Sequence, residues 1–238
     1  VLAPRKAVSA RTDDVLNFDD RSRTYSRSGP RSKAARESSK DALSDTLETL
    51  YSEHRYLVSL LDVLEKESAR LKPGKVPDYH LLLDVIDYLR HYPDQYHHPR
   101  EDLLFARTLE HDAEFAPLLA RLEREHRTIK MYNDELFSEL SGIVAGRAAG
   151  RPSLARGMER YIAAYRRHMD YESRQIFPRA KGSLGAADLA MLGRKTRFID
   201  DPLFGGEVQY RYRRLARNLQ ARLEAAGEDL LATEFSFV

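Results

Sequence analysis

The 238-residue chain contains no cysteine and no tryptophan. Without cysteine there is no disulfide framework and no thiolate metal site, and thiol usage says nothing about the redox compartment. There is no apolar run of 18 residues, the length a membrane-spanning helix needs. The opening VLAPRKAV is too short and too charged for the apolar core of a signal peptide. These absences lead to the expectation of a soluble cytoplasmic protein with no membrane partner. A large charge of one sign is missing too, since the formal net charge is only +2. That charge is spread unevenly. Residues 1–40 hold ten Lys/Arg against five Asp/Glu, and the remainder holds 29 against 32. The bulk of the chain therefore lacks the basic face that nucleic acid would require. The arm, rich in Ser, Arg, Asp and Gly, reads as a poorly ordered or loosely docked extension.

From Ser44 onward the apolar residues recur at helical spacing. Leu47, Leu50, His54, Leu57, Leu61 and Leu64 define an amphipathic helix expected over Asp41–Leu71. KPGKVPD breaks it, and a second helix is expected over Asp78–Leu109. After a short turn at EHDAEF, a third helix carries the stripe Leu119, Leu122, His126, Ile129, Asn133, Leu136, Leu140 and Ile143. GRAAGRPS is a loop. A fourth helix, expected over Ser153–Arg179, carries Met158, Tyr161, Tyr165, His168, Glu172 and Ile176. No strand-like alternation competes. Four long helices on short loops predict an all-α, up-down-up-down four-helix bundle. SLGAADLAMLGRKTRF and EVQYRYRRLARNLQARLEAAG predict extra C-terminal helices, the latter with Leu215, Leu219 and Leu223 on one face. The expected division is 1–40 as the basic extension, 41–180 as the bundle and 181–238 as a helical extension.

The stripes are interrupted by polar residues in a pattern. Each bundle helix has one histidine on its apolar seam: His54, His97, His126 and His168. Two are followed by a carboxylate four residues on, His97 by Glu101 and His168 by Glu172. Positions i and i+4 lie one turn apart on one helix face, so imidazole and carboxylate can bind one metal ion or two adjacent ions. Counted at about 1.5 Å per residue, the four histidines share a slab one or two turns thick. A single histidine on an apolar face is usually a structural residue with a hydrogen-bond partner. Six polar residues at one level, with H-x-x-x-E repeated, point instead to a metal centre. Mixed imidazole and carboxylate donors suit Fe, Mn or Zn.

The pattern H…HxxxE…H…HxxxE on four helices, with HHPREDLLF and HMDYESRQIFP as its two halves, resembles the hemerythrin-like, or HHE cation-binding, domain family over residues 44–180. The tail DDPLFGGEVQYRYRRL resembles those of bacterial members. The resemblance implies two iron ions ligated by His54, His97, Glu101, His126, His168 and Glu172. Glu101 and Glu172 would bridge, with an oxo, hydroxo or water ligand between the irons. Mn or Zn could substitute. Dioxygen, peroxide or nitric oxide are the implied partners, and a homodimer is compatible with the family. The chain departs from the family's oxygen carriers at the third helix. A second histidine is expected one turn from His126, where Leu122 and Lys130 stand. Its last motif is HxxxE, where theirs has a longer His-to-Asp spacing. One iron is then a histidine short, with water, Glu123 or Glu125 to fill the place, and reactivity is favoured over reversible oxygen storage.

Pro99 explains the second helix, because it frees the carbonyl of Gln95 and kinks the segment that ligands then hold. His98 falls off the seam and reads as a supporting or surface residue, with the alternative that it replaces His97 as ligand. His80, His91 and His111 read as surface. Tyr51, Tyr96, Tyr161 and Tyr165 lie near the seams and read as packing residues, the alternative being a donor to bound oxygen or an iron ligand. Three functions stay open: a di-iron protein binding or sensing oxygen, peroxide or nitric oxide; a di-iron redox enzyme consuming peroxide; and an iron-responsive regulator. No specific enzymatic activity follows from the sequence.

Overall fold

The computed structural model describes residues 33–148, 150–195, 201–205 and 207–226. Residues 1–32 of the expected basic extension and the tail from 227 lie outside these. The described residues contain helices and no strand. Helix α1 spans Lys33–Ser68 and closes in a 3₁₀ turn, Ala69–Leu71. It starts before the expected Asp41, since KAARESSK contains no residue that breaks a helix. Helix α2 is Tyr79–Tyr92, and Asp78 caps it by accepting the Leu81 N–H at 3.0 Å. Helix α3, His98–His111, continues α2 through a π segment, Pro93–His97. Helix α4 spans Ala116–Val144. Gly146, at φ +94°, ends it in a conformation that glycine adopts at little cost. Helix α5, Arg151–Tyr171, leads through a second π segment, Glu172–Ile176, into α6, Phe177–Ser183. The fourth bundle helix therefore runs slightly past the expected Ser153–Arg179 at both ends.

Each π segment precedes a proline. His98 N–H bonds to the Pro93 carbonyl just before Pro99, and Phe177 N–H bonds to the Glu172 carbonyl just before Pro178. A proline donates no N–H and crowds the carbonyl four residues back, so the turn opens by one residue. The kink expected at Pro99 is therefore a π turn, and it recurs on the other H-x-x-x-E helix.

The bundle order follows from two apolar clusters. One holds Leu57, Leu61, Leu89, Tyr92, Ile129, Met158 and Tyr165. The other holds Leu50, Leu104, Phe105, Leu122, Ile176 and Phe177. Along α1 and α4 the chain passes from the second cluster to the first, and along α2–α3 and α5–α6 from the first to the second. The four helices therefore alternate in direction, as an up-down-up-down bundle requires. Every switch between clusters happens at one of the seam histidines.

The C-terminal region wraps the bundle. Helix α7, Ala186–Lys195, packs on α1 and α3. Asp188 accepts the Gly185 N–H at 3.0 Å and the Arg107 Nε–H at 2.6 Å. The turn at 201–205 drives buried Leu203 into the core. Asp201 there accepts the N–H groups of Leu203 and Phe204 and the Tyr88 hydroxyl, the last at 2.8 Å. Helix α8, Arg213–Ala226, lies on α2 with Leu215 and Leu219 buried. The expected partner Leu223 falls outside the described side chains.

Candidate metal centre

Between the two apolar clusters lies a polar layer. His54, His97, Glu101, His168 and Glu172 are buried, and both glutamates are fully so at 0% exposure. His126 is less enclosed, its side chain 24% exposed. The layer is built by the helices themselves. Leu50 and Leu57 flank His54, and Leu122 and Ile129 flank His126, three or four positions before and after, while His97 and His168 are each followed one turn on by a glutamate of the layer.

Distances place the six predicted residues in one cluster. Glu101 Oε1 is 3.2 Å from His97 Nε2 and 3.9 Å from His54 Nε2. Glu172 is 3.3 Å from His168 Nε2, 3.4 Å from His54 Nε2 and 3.8 Å from His126 Nε2. None of these contacts has hydrogen-bond geometry. All four carboxylate oxygens, and His126 Nε2, are buried without a hydrogen-bond partner. His54 Nε2 and His97 Nε2 face each other at 3.2 Å, a separation that needs a proton or a cation between two ring nitrogens.

The far side of the rings is anchored. His97 Nδ1–H donates to Glu53 at 2.8 Å, and Arg100 grips the other Glu53 oxygen. His168 Nδ1–H donates to Glu125 at 3.1 Å, and Arg121 holds Glu125 at 2.7 Å. His54 Nδ1 stands 3.0 Å from Ser173 Oγ. A carboxylate can only accept, so His97 and His168 carry a proton on Nδ1 and keep Nε2 as the atom that faces the cluster. Metal-ligating histidines are oriented in the same way. Burial would raise the Glu53 carboxyl, but the His97 bond and the charges of His97 and Arg100 outweigh it and hold it below the usual range. The bond to His168, followed by Arg121, does the same for Glu125. Inside the cluster, burial alone would raise Glu172. The charge of His168 and the contacts of His126 and His54 instead hold it well below the ordinary value. Burial depresses His97 and His168, yet Glu101 and Glu172 respectively lift both rings above the ordinary imidazole range. The cluster thus attracts positive charge, which a proton or a metal can supply.

Three groups of donor atoms lie close enough to hold an ion: His54, His97, Glu101 and Glu172; His126, His168 and Glu172; and His98, Glu101 and His126. Each glutamate belongs to two groups, the arrangement a bridging carboxylate requires. The donor set fits the mixed imidazole and carboxylate chemistry of Fe, Mn or Zn.

Of the two readings offered for His98, supporting or surface, the structure favours the first: its ring stacks on His126 with centroids 4.0 Å apart, and its side chain is 21% exposed, as enclosed as that of His126. H-H-x-x-E was the available signal, because His98 is three residues before Glu101 and positions three apart also share a face. Glu125, one of the alternatives to water for the vacant place, faces His168 Nδ1 and Arg121. Glu53 was missed altogether; a buried acid next to a seam histidine was the clue. His91 bonds the Asp87 carbonyl outside the cluster, and His111 pairs with Asp188. Among the tyrosines, Tyr161 accepts from Asn133 at 2.9 Å and Tyr51 donates to the Ser173 carbonyl at 3.2 Å, as packing residues do.

A cavity of about 130 Å³ reaches the cluster beside His98, His126 and His168, bounded by Tyr165, Asp94 and Lys130.

An all-α bundle whose core layer is a ring of imidazoles around two buried carboxylates that accept no hydrogen bond has the make-up of a cation-binding four-helix protein. Residues 45–180, over half of the chain, match the family model described as the Hemerythrin HHE cation binding domain. The chain belongs to the hemerythrin HHE cation-binding family. Comparison with curated proteins and with solved structures found no match in either. No helix among the described residues is long and apolar enough to cross a membrane.

Proposed function

We propose that the chain is a non-haem di-iron protein that binds or senses a small oxidising ligand, namely dioxygen, peroxide or nitric oxide. One observation carries the reading: Glu101 and Glu172 are fully buried, their four oxygens accept no hydrogen bond, and imidazole nitrogens surround them. Burying an ion costs several kcal/mol, which the surrounding imidazoles offset only in part. A whole protein is stable by roughly 5–15 kcal/mol, so two such buried carboxylates are a sizeable burden. Cations supplied by the environment remove that burden.

In this reading His54, His97, His126 and His168, together with Glu101 and Glu172, would hold the two irons. Iron when bound supplies the electrons or the binding position for the small ligand. The chain's own residues do the rest. Glu53 and Glu125 orient His97 and His168, and the leucine and phenylalanine layers above and below exclude bulk water. The cavity of about 130 Å³ gives a small ligand a route to the cluster beside His98, His126 and His168.

The test is anaerobic loading of purified chain with iron(II), metal analysis, and absorption spectra before and after oxygen, nitric oxide or peroxide. Two irons per chain, with a ligand-to-metal band that responds to one of these, is the expected result. Steady consumption of peroxide would place the protein among the redox enzymes. A chain that retains no iron, or whose iron is indifferent to all three, would refute the proposal.

A further inference from the structure

We propose that His98 is a seventh metal ligand, joining His126 at the cavity side of the centre and releasing more readily than the other anchored imidazoles. The inference rests on the metal-centre reading above and adds to its six ligands.

The first argument is position. A His98 nitrogen, a Glu101 oxygen and a His126 nitrogen lie within 4.8 Å of one another, close enough to share one ion. His97 and His98 approach Glu101 from two sides, one turn back at i−4 and at i−3. The second argument is orientation. His98 Nδ1–H donates to Asp94 at 3.2 Å. This is the same device that Glu53 provides for His97 at 2.8 Å and Glu125 for His168 at 3.1 Å. In all three cases a carboxylate takes the Nδ1 proton and leaves Nε2 as the donor. The near-parallel stack on His126, 28° between ring planes, further restricts the ring. A surface histidine has no need of either restraint.

The third argument sets His98 apart from the others. Its anchor, Asp94, is 50% exposed, against 28% for Glu125 and 6% for Glu53. Asp94 also shares its second oxygen with Lys130, at 3.4 Å in an exposed pair. Water screens such contacts and weakens them. Asp94 lies in the π segment Pro93–His97, where the backbone ladder is irregular, and both Asp94 and His98 border the cavity. The ligand with the weakest support therefore stands where a small molecule enters.

The experiment uses full-length protein loaded with iron. Metal per chain, the iron(III) absorption spectrum and the rate of iron transfer to a coloured chelator are compared for wild type, His98→Ala, His98→Gln and Asp94→Asn. His91→Ala serves as the control, and far-UV circular dichroism checks folding; Gln keeps the side-chain volume in case Ala perturbs the helix. The expectation is an altered spectrum and release of one of the two irons at least about tenfold faster in both His98 variants, the scale on which metal-site partners act. Asp94→Asn should show a smaller acceleration, and His91→Ala none. Folded His98 variants with wild-type stoichiometry, spectrum and release rate would overturn the seventh ligand alone. A wild-type chain that takes up no iron would overturn the metal reading and this inference with it.

Discussion

Replacing Glu101 with glutamine should stabilise the metal-free protein and weaken the metal-loaded one. Glu101 is fully buried and neither oxygen has a hydrogen-bond partner. Its nearest neighbours are His97 Nε2 at 3.2 Å and His54 Nε2 at 3.9 Å. As an ion it costs several kcal/mol to hold there, offset in part by those rings. Glutamine has nearly the same shape and no charge, and its unpaired amide costs about 1–3 kcal/mol. Removing the charge strands no other, because His97 keeps Glu53 at 2.8 Å through Nδ1 and can shed a proton from Nε2. The net gain should be about 2 kcal/mol, or roughly 4–8 °C in melting temperature for a chain of this size. With iron present the order should invert. Binding to the native state stabilises by about 4 kcal/mol at a thousandfold excess over Kd, and glutamine forfeits most of it. Thermal melts followed by circular dichroism, on chelator-treated and on iron-loaded samples of both proteins, measure all four values. A metal-free Glu101→Gln variant that melts at or below metal-free wild type would refute the argument that this carboxylate is held at the fold's expense.

Three further outcomes are expected. Stripping metal from wild type should raise amide exchange most at residues 96–104, around the π turn, and least near buried Leu61 and Leu140, as hydrogen-exchange mass spectrometry would read. Glu53→Gln and Glu125→Gln should weaken metal binding about 10- to 100-fold while leaving every ligand in place, with Glu53 the more sensitive because it is more deeply buried; competition with a chelator measures this. Leu203→Ala should cost about 2–5 kcal/mol in denaturant melts, whereas Asp84→Asn and Asp87→Asn, which break exposed pairs with Arg214 and Arg211, should each cost under about 1 kcal/mol. Equal costs would mean that the C-terminal region is held by its ion pairs and not by its apolar contacts.

The helices, their alternation of direction and the depth of the polar layer were legible in the sequence. Helical periodicity is local, and one residue every three or four along a seam is enough to show which side chains meet the core. His54, His97, Glu101, His126, His168 and Glu172 were legible for the same reason, as polar residues standing in apolar stripes. What only the tertiary structure decided lies across helices. That Glu53 on α1 orients His97 near the start of α3, or that Glu125 turns to His168, depends on pairs more than forty residues apart along the chain. The closeness of His98 to the cluster also needed the structure, because a seam one residue wide admits only one of two neighbouring histidines. At about 100° per residue, two adjacent histidines cannot both lie on a line, yet both can flank a carboxylate three and four residues away. The π turns before Pro99 and Pro178 were half visible: proline announces a lost hydrogen bond, but only the packed bundle decides whether the helix breaks or opens by one residue and continues.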